Sequence, residues 1–209
     1  MELGTVAALW RYPVKSLRSE SLARARVLAD GFEGDRSAAL IVQSPLHARA
    51  GKTFRGKESS RLHLTADPDT AASFAHDAGV DVALDRELPR YFDTGTISLL
   101  LDLWVRDVEA LVGEPLDPLR WRPNLYVTAA PHVALREADM VGRTLRAGSV
   151  VLQVVATIKR CVTTTYDIAT GASLPAVLSE VALRRGNVMG VYCDVIAPGK
   201  LEVGDVVTA

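Results

Sequence analysis

Cysteine is almost absent from this chain: its 209 residues include two, Cys161 and Cys193. That excludes a disulfide framework, and neither cysteine belongs to a C-x-x-C pair. The four histidines, His47, His63, His76 and His132, lack the H-x-x-x-H spacing. Zinc chemistry at usual ligand spacings therefore has no support, and His63 and His76 read as packing or surface residues. No apolar run reaches the roughly 18 residues that span a bilayer. The opening stretch MELGTVAALWRYPVKS has no basic n-region and no long apolar segment, and lipidation motifs are missing. A cytoplasmic location without membrane association is the expectation, with both thiols reduced. Neither sign of charge dominates, the formal net charge being -1. A dedicated nucleic-acid binder needs surplus Lys and Arg, so that class is disfavoured, while a local basic pocket for a small anion is not. No G-x-G-x-x-G follows a strand pattern, and no regular β-α-β alternation or internal repeat is visible. A nucleotide-binding parallel sheet is disfavoured accordingly.

What is present is ordinary for a globular protein: 48% apolar and 23% charged residues, enough for a substantial core. TVAALWRYPV reads as a first strand stopped at Pro13. ARARVLAD and RSAALIVQ are further strands on either side of the glycine turn GFEGD. The charged stretch from Ser44 to His63 reads as a long exposed loop. Its Lys52, Arg55, Lys57 and Arg61 form a solvated face or, on a sharper reading, a rim that attracts anions. DPDTAASFAHDAG is a helix with Asp67 as cap, Pro68 in the first turn and Gly79 at its end. From Thr96 to Gly113, apolar residues recur at three- and four-residue spacing, which predicts one long amphipathic helix. SLPAVLSEVALRRG predicts another, capped by Ser173 and stopped by Gly186. NLYVTA, TLRAGSVVLQVVAT, VMGVYCDVIA and KLEVGDVVTA are valine-rich strand runs. The fold class expected is mainly β or α+β, a mostly antiparallel β-barrel with a few helices.

Four short stretches carry the chemistry. In KRCVTTT, Cys161 directly follows Arg160, and a nearby cation favours the thiolate that acts as nucleophile or metal ligand. The competing reading is a half-buried cysteine that packs as a small apolar residue. Cys193 reads as mid-strand packing. YPVKS places Lys15 and Ser16 after a proline-broken strand, GDR places Arg36 after a glycine turn, and RWRPN places Arg120, Arg122 and Asn124 at the mouth of another strand. Together they could serve one anionic ligand, because the planar guanidinium fork suits oxyanions and the ammonium group acts as a point charge.

LWRYPVKSL, GFEGDR, RWRPNLYV, KRCVTTTYDIATG and GKLEVGDVV, in this order, resemble MOSC-domain proteins, relatives of the C-terminal domain of molybdenum-cofactor sulfurases. The resemblance covers almost the whole chain. It is strongest to the two-part kind exemplified by the mitochondrial amidoxime-reducing component and its bacterial relatives. It implies an N-terminal MOSC-type β-barrel segment over residues 1–92 and a MOSC domain over 93–209, the two sharing one compact unit. It also implies the molybdenum cofactor (molybdopterin), with Cys161 as metal ligand and catalytic residue, since a soft thiolate suits this ion. Lys15, Ser16, Arg36, Arg122, Asn124, Arg160 and Thr164 match the cofactor-binding positions. Thr96 or Ser98, at the expected start of the long helix, would add hydroxyl and N–H donors. The family is also associated by analogy with pyridoxal phosphate binding. Three functions follow as alternatives: a reductase of N-hydroxylated or related N–O small molecules, a sulfur carrier with a persulfide on Cys161, or a non-catalytic cofactor carrier. A reductase would need a separate electron-donor protein, ferredoxin- or cytochrome-like. In READMVG, Glu137 and Gly142 fit the family pattern while Met140 stands where tryptophan is common, through packing or an altered substrate rim.

Overall fold

The computed structural model describes residues 1–92 and 94–209. The N-terminal half runs β1 (Glu2–Arg11), β2 (Glu20–Leu22), β3 (Arg24–Leu28), β4 (Gly31–Phe32), β5 (Ala39–Val42), α1 (Pro68–Asp77) and β6 (Val82–Asp85). Next come β7 (Ile97–Leu101), α2 (Asp102–Val112), β8 (Leu125–Ala129), α3 (Glu137–Met140), β9 (Thr144–Ala147) and β10 (Val150–Lys159). The chain ends with α4 (Pro175–Arg185), β11 (Val188–Ala197), β12 (Gly199–Glu202) and β13 (Val206–Thr208). Seven strands close in the order β1-β13-β9-β10-β11-β7-β8 and back to β1. Every neighbouring pair in this barrel is antiparallel except β7 and β8. The mostly antiparallel barrel expected from the valine-rich runs is therefore present, as a mixed barrel.

That one parallel pair corrects the long-helix expectation. Parallel neighbours need a crossover connection, and α2 supplies it between β7 and β8. Residues 97–101 form a strand, and the helix starts at Asp102. All five residues of β7 are buried. A strand covered on both faces loses its period-two alternation, and such a short apolar run cannot be told from a helix by spacing. The Asp102 carboxylate accepts from the Ala129 amide at 2.8 Å and from Arg106 at 2.6 Å, tying the first turn of α2 to the end of β8. Gly113 closes the helix in the left-handed conformation, as expected. Ser173 does not cap α4; Leu174 holds that position, and the Ser173 hydroxyl pairs with Thr165 at 3.1 Å. Asp67 caps α1 through the Asp69 and Thr70 amides.

The main core fills the barrel and the space beneath α2 and α4, with Trp104, Trp121, Met140 and Cys193 among its buried residues. Met140 is fully buried, which favours its packing reading over a place on a substrate rim. Burial pushes the Cys193 thiol up to about 12. Both cysteines are free thiols. Residues 14–82 build a smaller second core from β5, α1 and the loop between them, including Leu17, Leu40, Phe54 and Leu62. That loop is not wholly exposed as expected: Phe54, Leu62 and His63 are buried and hold it against the body. The expected boundary between residues 92 and 93 borders residue 93, which lies outside the described residues. Among the described residues no helix is long and apolar enough to cross a membrane.

Gly4 closes the barrel, pairing with Val207 of β13 on one side and Ala129 of β8 on the other. Its φ is 152°, and a Cβ there would overlap the Thr128 carbonyl oxygen. Gly4→Ala is expected to destabilise the protein by about 2–3 kcal/mol or more through strain and overpacking. Urea unfolding monitored by circular dichroism checks this.

Candidate functional site

A cleft of about 310 Å³ opens where the second core meets one end of the barrel. Its walls come from the segment after β1, the turn after β4, the loop after β5, the strands β7, β10 and β11, the turn before β8 and the turn after β10. Of the residues proposed from sequence, Lys15, Ser16, Arg36, Ser98, Arg122, Arg160, Cys161 and Thr164 line it. Thr96 and Asn124 do not. Folding thus gathers these groups, up to 149 positions apart in the chain (Lys15 to Thr164), onto one surface.

Three of these residues adopt left-handed backbone conformations that side chains seldom take: Ser16 at φ 72°, Arg36 at 48° and Arg122 at 52°. Such strain persists only where surrounding contacts over-determine it. Here the contacts centre on Tyr12. Its amide donates to the buried Asp35 carboxylate at 2.7 Å, and its hydroxyl donates to the Pro123 carbonyl at 3.1 Å. The Arg36 and Arg122 guanidinium groups lie 4.8 and 4.2 Å from the centre of its ring, in cation–π contact. Asp35 also forms an ion pair with Arg36. Burial raises the Tyr12 pKa despite both arginines, so the phenol stays protonated.

Asn124 acts behind the wall. Its side-chain oxygen accepts from the Ser98 amide, the Ser98 hydroxyl and Arg36, at 3.1, 3.0 and 3.3 Å, and its amide nitrogen donates to Trp10. It locks β7, β8 and β1 together and leaves the facing of the cleft to Ser98 and Arg36. Ser98 sits within β7 and Thr96 just before it, so neither occupies a helix N-terminus. The Thr96 hydroxyl donates to the Cys193 carbonyl at 2.7 Å.

Cys161 is exposed and caps a 3-10 turn spanning Val162–Thr165, two residues beyond the end of β10. Its sulfur lies 3.1 Å from the Thr163 hydroxyl, and its carbonyl accepts from the Thr164 hydroxyl at 3.0 Å. Exposure removes the reading of Cys161 as a packing residue. The preceding Arg160 is half-buried; its Nε donates to Met189 at 2.6 Å and its Nη1 to Trp121 at 2.9 Å. Burial pulls its pKa down to about 10, which still leaves it charged at neutral pH.

Sequence reasoning missed part of the cleft. Arg120, mentioned as one of a pair, is buried and donates to the Thr165 carbonyl at 2.8 Å and to Asp167 at 3.1 Å. His63 is also buried, stacked on Tyr166 with ring centres 5.5 Å apart and planes 11° from parallel. Burial, and next the nearby Arg122, push its pKa down to about 4. Trp121, Tyr166 and Tyr192 line the cleft too, and only long-range folding could have revealed them. Among the described residues, eight of the twenty-one lining side chains are Lys or Arg and none is Asp or Glu. Trp121 Nε1, Arg120 Nε and Arg55 Nε are buried donors without partners among the described residues. Orphaned donors, gathered cations and an exposed thiol on one wall suit a ligand rich in acceptors and negative charge.

The low pKa of His63 fixes a sign. Below the ordinary value of 6.5 the unfolded chain takes a proton that the folded chain refuses until about pH 4. Stability from His63 is fully present above pH 6.5 and falls as pH drops toward 4. Thermal melts across this range should show a steeper loss for the parent than for His63→Phe, which keeps a ring against Tyr166.

Comparison with known proteins fits this architecture. A crystal structure of the YUAD protein from Bacillus subtilis superposes with a TM-score of 0.57 at 17% identity, over 98% of this chain and 93% of that one. Such a likeness speaks for the fold alone. YiiM from Escherichia coli aligns with a TM-score of 0.44 at 15% identity, over 94% of this chain and 68% of that one, too loosely to carry an argument. No curated protein matches. The family model of the MOSC N-terminal beta barrel domain matches residues 3–78, and that of the MOSC domain matches residues 96–208. With more than half of its length inside the second of these and an N-terminal barrel segment ahead of it, the chain belongs to the MOSC domain family.

Proposed function

We propose that the cleft holds the molybdenum cofactor and that the protein reduces N-hydroxylated or related N–O compounds. The observation that carries this reading is the exposed Cys161 thiol on the wall of a cleft whose charged lining is entirely cationic among the described residues. The donor set fits the group. A pterin phosphate needs cations and N–H donors, and an ion already bound by sulfur accepts a further soft thiolate.

Lys15, Ser16, Arg36 and Arg122 would hold the phosphate and pterin, with Tyr12 fixing the directions of the two arginines. Cys161 would ligate the metal. Arg160 acts mainly through its carbonyl contacts, holding the segment ahead of Cys161 and adding positive charge beneath it. Thr163 and Thr164 support the sulfur and the backbone around it. When bound, the cofactor supplies two-electron chemistry with an oxygen-accepting centre, and the protein contributes position and electrostatics. In the net reaction the N–O bond breaks, two electrons and two protons enter, the nitrogen keeps its remaining bonds plus one hydrogen, and oxygen leaves as water. A separate ferredoxin- or cytochrome-like protein would deliver the electrons.

The exposure of Cys161 also suits a sulfur carrier, in which the thiol would hold a persulfide. Mass spectrometry distinguishes the two: one labile extra sulfur on Cys161 without pterin favours the carrier. Protein made in cells that synthesise the cofactor should contain close to stoichiometric molybdenum. Cys161→Ala should lose most of it while its circular dichroism and unfolding midpoint stay unchanged. Equal metal in both proteins would remove Cys161 from the ligand role.

A further inference from the structure

Part of the cleft is unused by this cofactor assignment. Arg55, Gly56 and Lys57 come from the loop after β5, and His63, Tyr166 and Ile168 lie beside the Cys161 turn in the lining. Residues 55–58 form a tight turn, closed by the Glu58 amide donating to the Arg55 carbonyl at 2.9 Å. The Glu58 carboxylate sits at its centre. It accepts from the Arg55 amide at 2.6 Å and the Arg55 guanidinium at 3.1 Å, and it pairs with Arg49 at 3.1 Å. One carboxylate is thus shared by two arginines.

The turn is held against the site rather than swinging free. Phe54 is buried in the second core. The Gly56 amide donates to the Ser16 hydroxyl at 3.1 Å. A Cβ on Gly56 would come within 3.2 Å of the Thr163 methyl, so the backbone lies close against the turn that starts at Cys161. Lys57, next along, is exposed, lines the cleft and forms no ion pair among the described residues. Nearby carboxylates are already occupied: Glu58 by the two arginines, and Asp167 by Arg120 and the Ala169 and Thr170 amides. The Tyr166 ring, stacked on the buried His63, belongs to the same lining. A cation that forms no ion pair among the described residues, in a lining that also holds an aromatic ring, would favour a planar ligand with a negative charge.

We propose that the turn Arg55–Glu58 is the substrate subsite and that it selects aromatic N–O substrates bearing an anionic group, with Lys57 as the recognising cation. The chemistry rests on the reductase reading; the selectivity is a binding property and can be measured apart from turnover. The test is calorimetric titration of the full chain with benzamidoxime and para-carboxybenzamidoxime, at low and high salt, for the parent, Lys57→Gln, Lys57→Arg and Lys57→Glu. Molybdenum content is measured on every sample. The parent should bind the carboxylated probe roughly five- to tenfold more tightly, in keeping with one charge-assisted contact near the surface. High salt should shrink the preference, Lys57→Gln abolish it, Lys57→Arg keep it and Lys57→Glu reverse it, with metal content unchanged.

Equal binding of the two probes by the parent overturns the proposal, as does a preference that survives in Lys57→Gln. Loss of molybdenum in Lys57→Gln would assign Lys57 to the cofactor instead. Unaltered probe binding with slower electron delivery in Lys57→Glu would assign the turn to docking of an acidic donor protein. Parent protein devoid of molybdenum would defeat the reductase reading alone, because the difference between the probes still reports on the subsite.

Discussion

A half-buried guanidinium holds the cleft together. The Arg160 side chain reaches the Met189 and Trp121 carbonyls, and its backbone exchanges contacts with Asn187: its amide donates to the Asn187 carbonyl at 3.1 Å, and its carbonyl accepts from the Asn187 side chain at 3.0 Å. One side chain therefore fastens the end of β10, the start of β11 and the turn ahead of β8, each of which contributes to the wall. Room for it depends on Gly190, whose φ is 87°. A Cβ there would lie 2.9 Å from the Leu99 carbonyl oxygen and 3.1 Å from the guanidinium. Desolvation weighs against burying this charge. Its hydrogen bonds to carbonyl oxygens offset that penalty only in part, and a negatively charged occupant would complete the compensation.

The strained backbones of Ser16, Arg36 and Arg122 belong to the same logic. Each places a polar side chain on the cleft from a conformation that the chain would avoid in isolation. Tyr12 and Asp35 sit behind two of them, and Asn124 links Arg36 to β7. The neutral, buried phenol ring gives both arginines a surface to lie on without competing for their hydrogen bonds. Residues behind the wall thus decide where the charges on the wall point, a division of labour expected of preorganised anion sites.

Legibility from sequence followed the range of the interactions. The helix α1 was plain because its cap, proline and closing glycine are local. Cys193 was plain because a mid-strand apolar run predicts burial. The strand β7 is not legible, because both its faces are covered, which erases the alternation that marks a strand. Motif resemblance picked out Lys15, Arg36, Arg122 and Cys161 as a set, but proximity in a motif cannot separate a side chain on the wall from one behind it. Asn124 shows the difference, its amide being consumed by Ser98, Arg36 and Trp10. His63 packs, as one of its two expected roles, but its partner Tyr166 lies far along the chain, and no local pattern encodes such a meeting.

The barrel joins its first strand to its last, and β1 shifts register between Glu2 and Gly4 along the edge that receives β13. One flank of β1 is covered by β8; on the other, β2 pairs with Leu9–Arg11 and β13 pairs with the stretch from Glu2 to Thr5. An open strand edge is a template for mispairing. The irregularity at Glu2 and Gly4 breaks the even ladder that a foreign strand would need, so the kink that shapes closure also makes this edge a poor template whenever β13 is not in place.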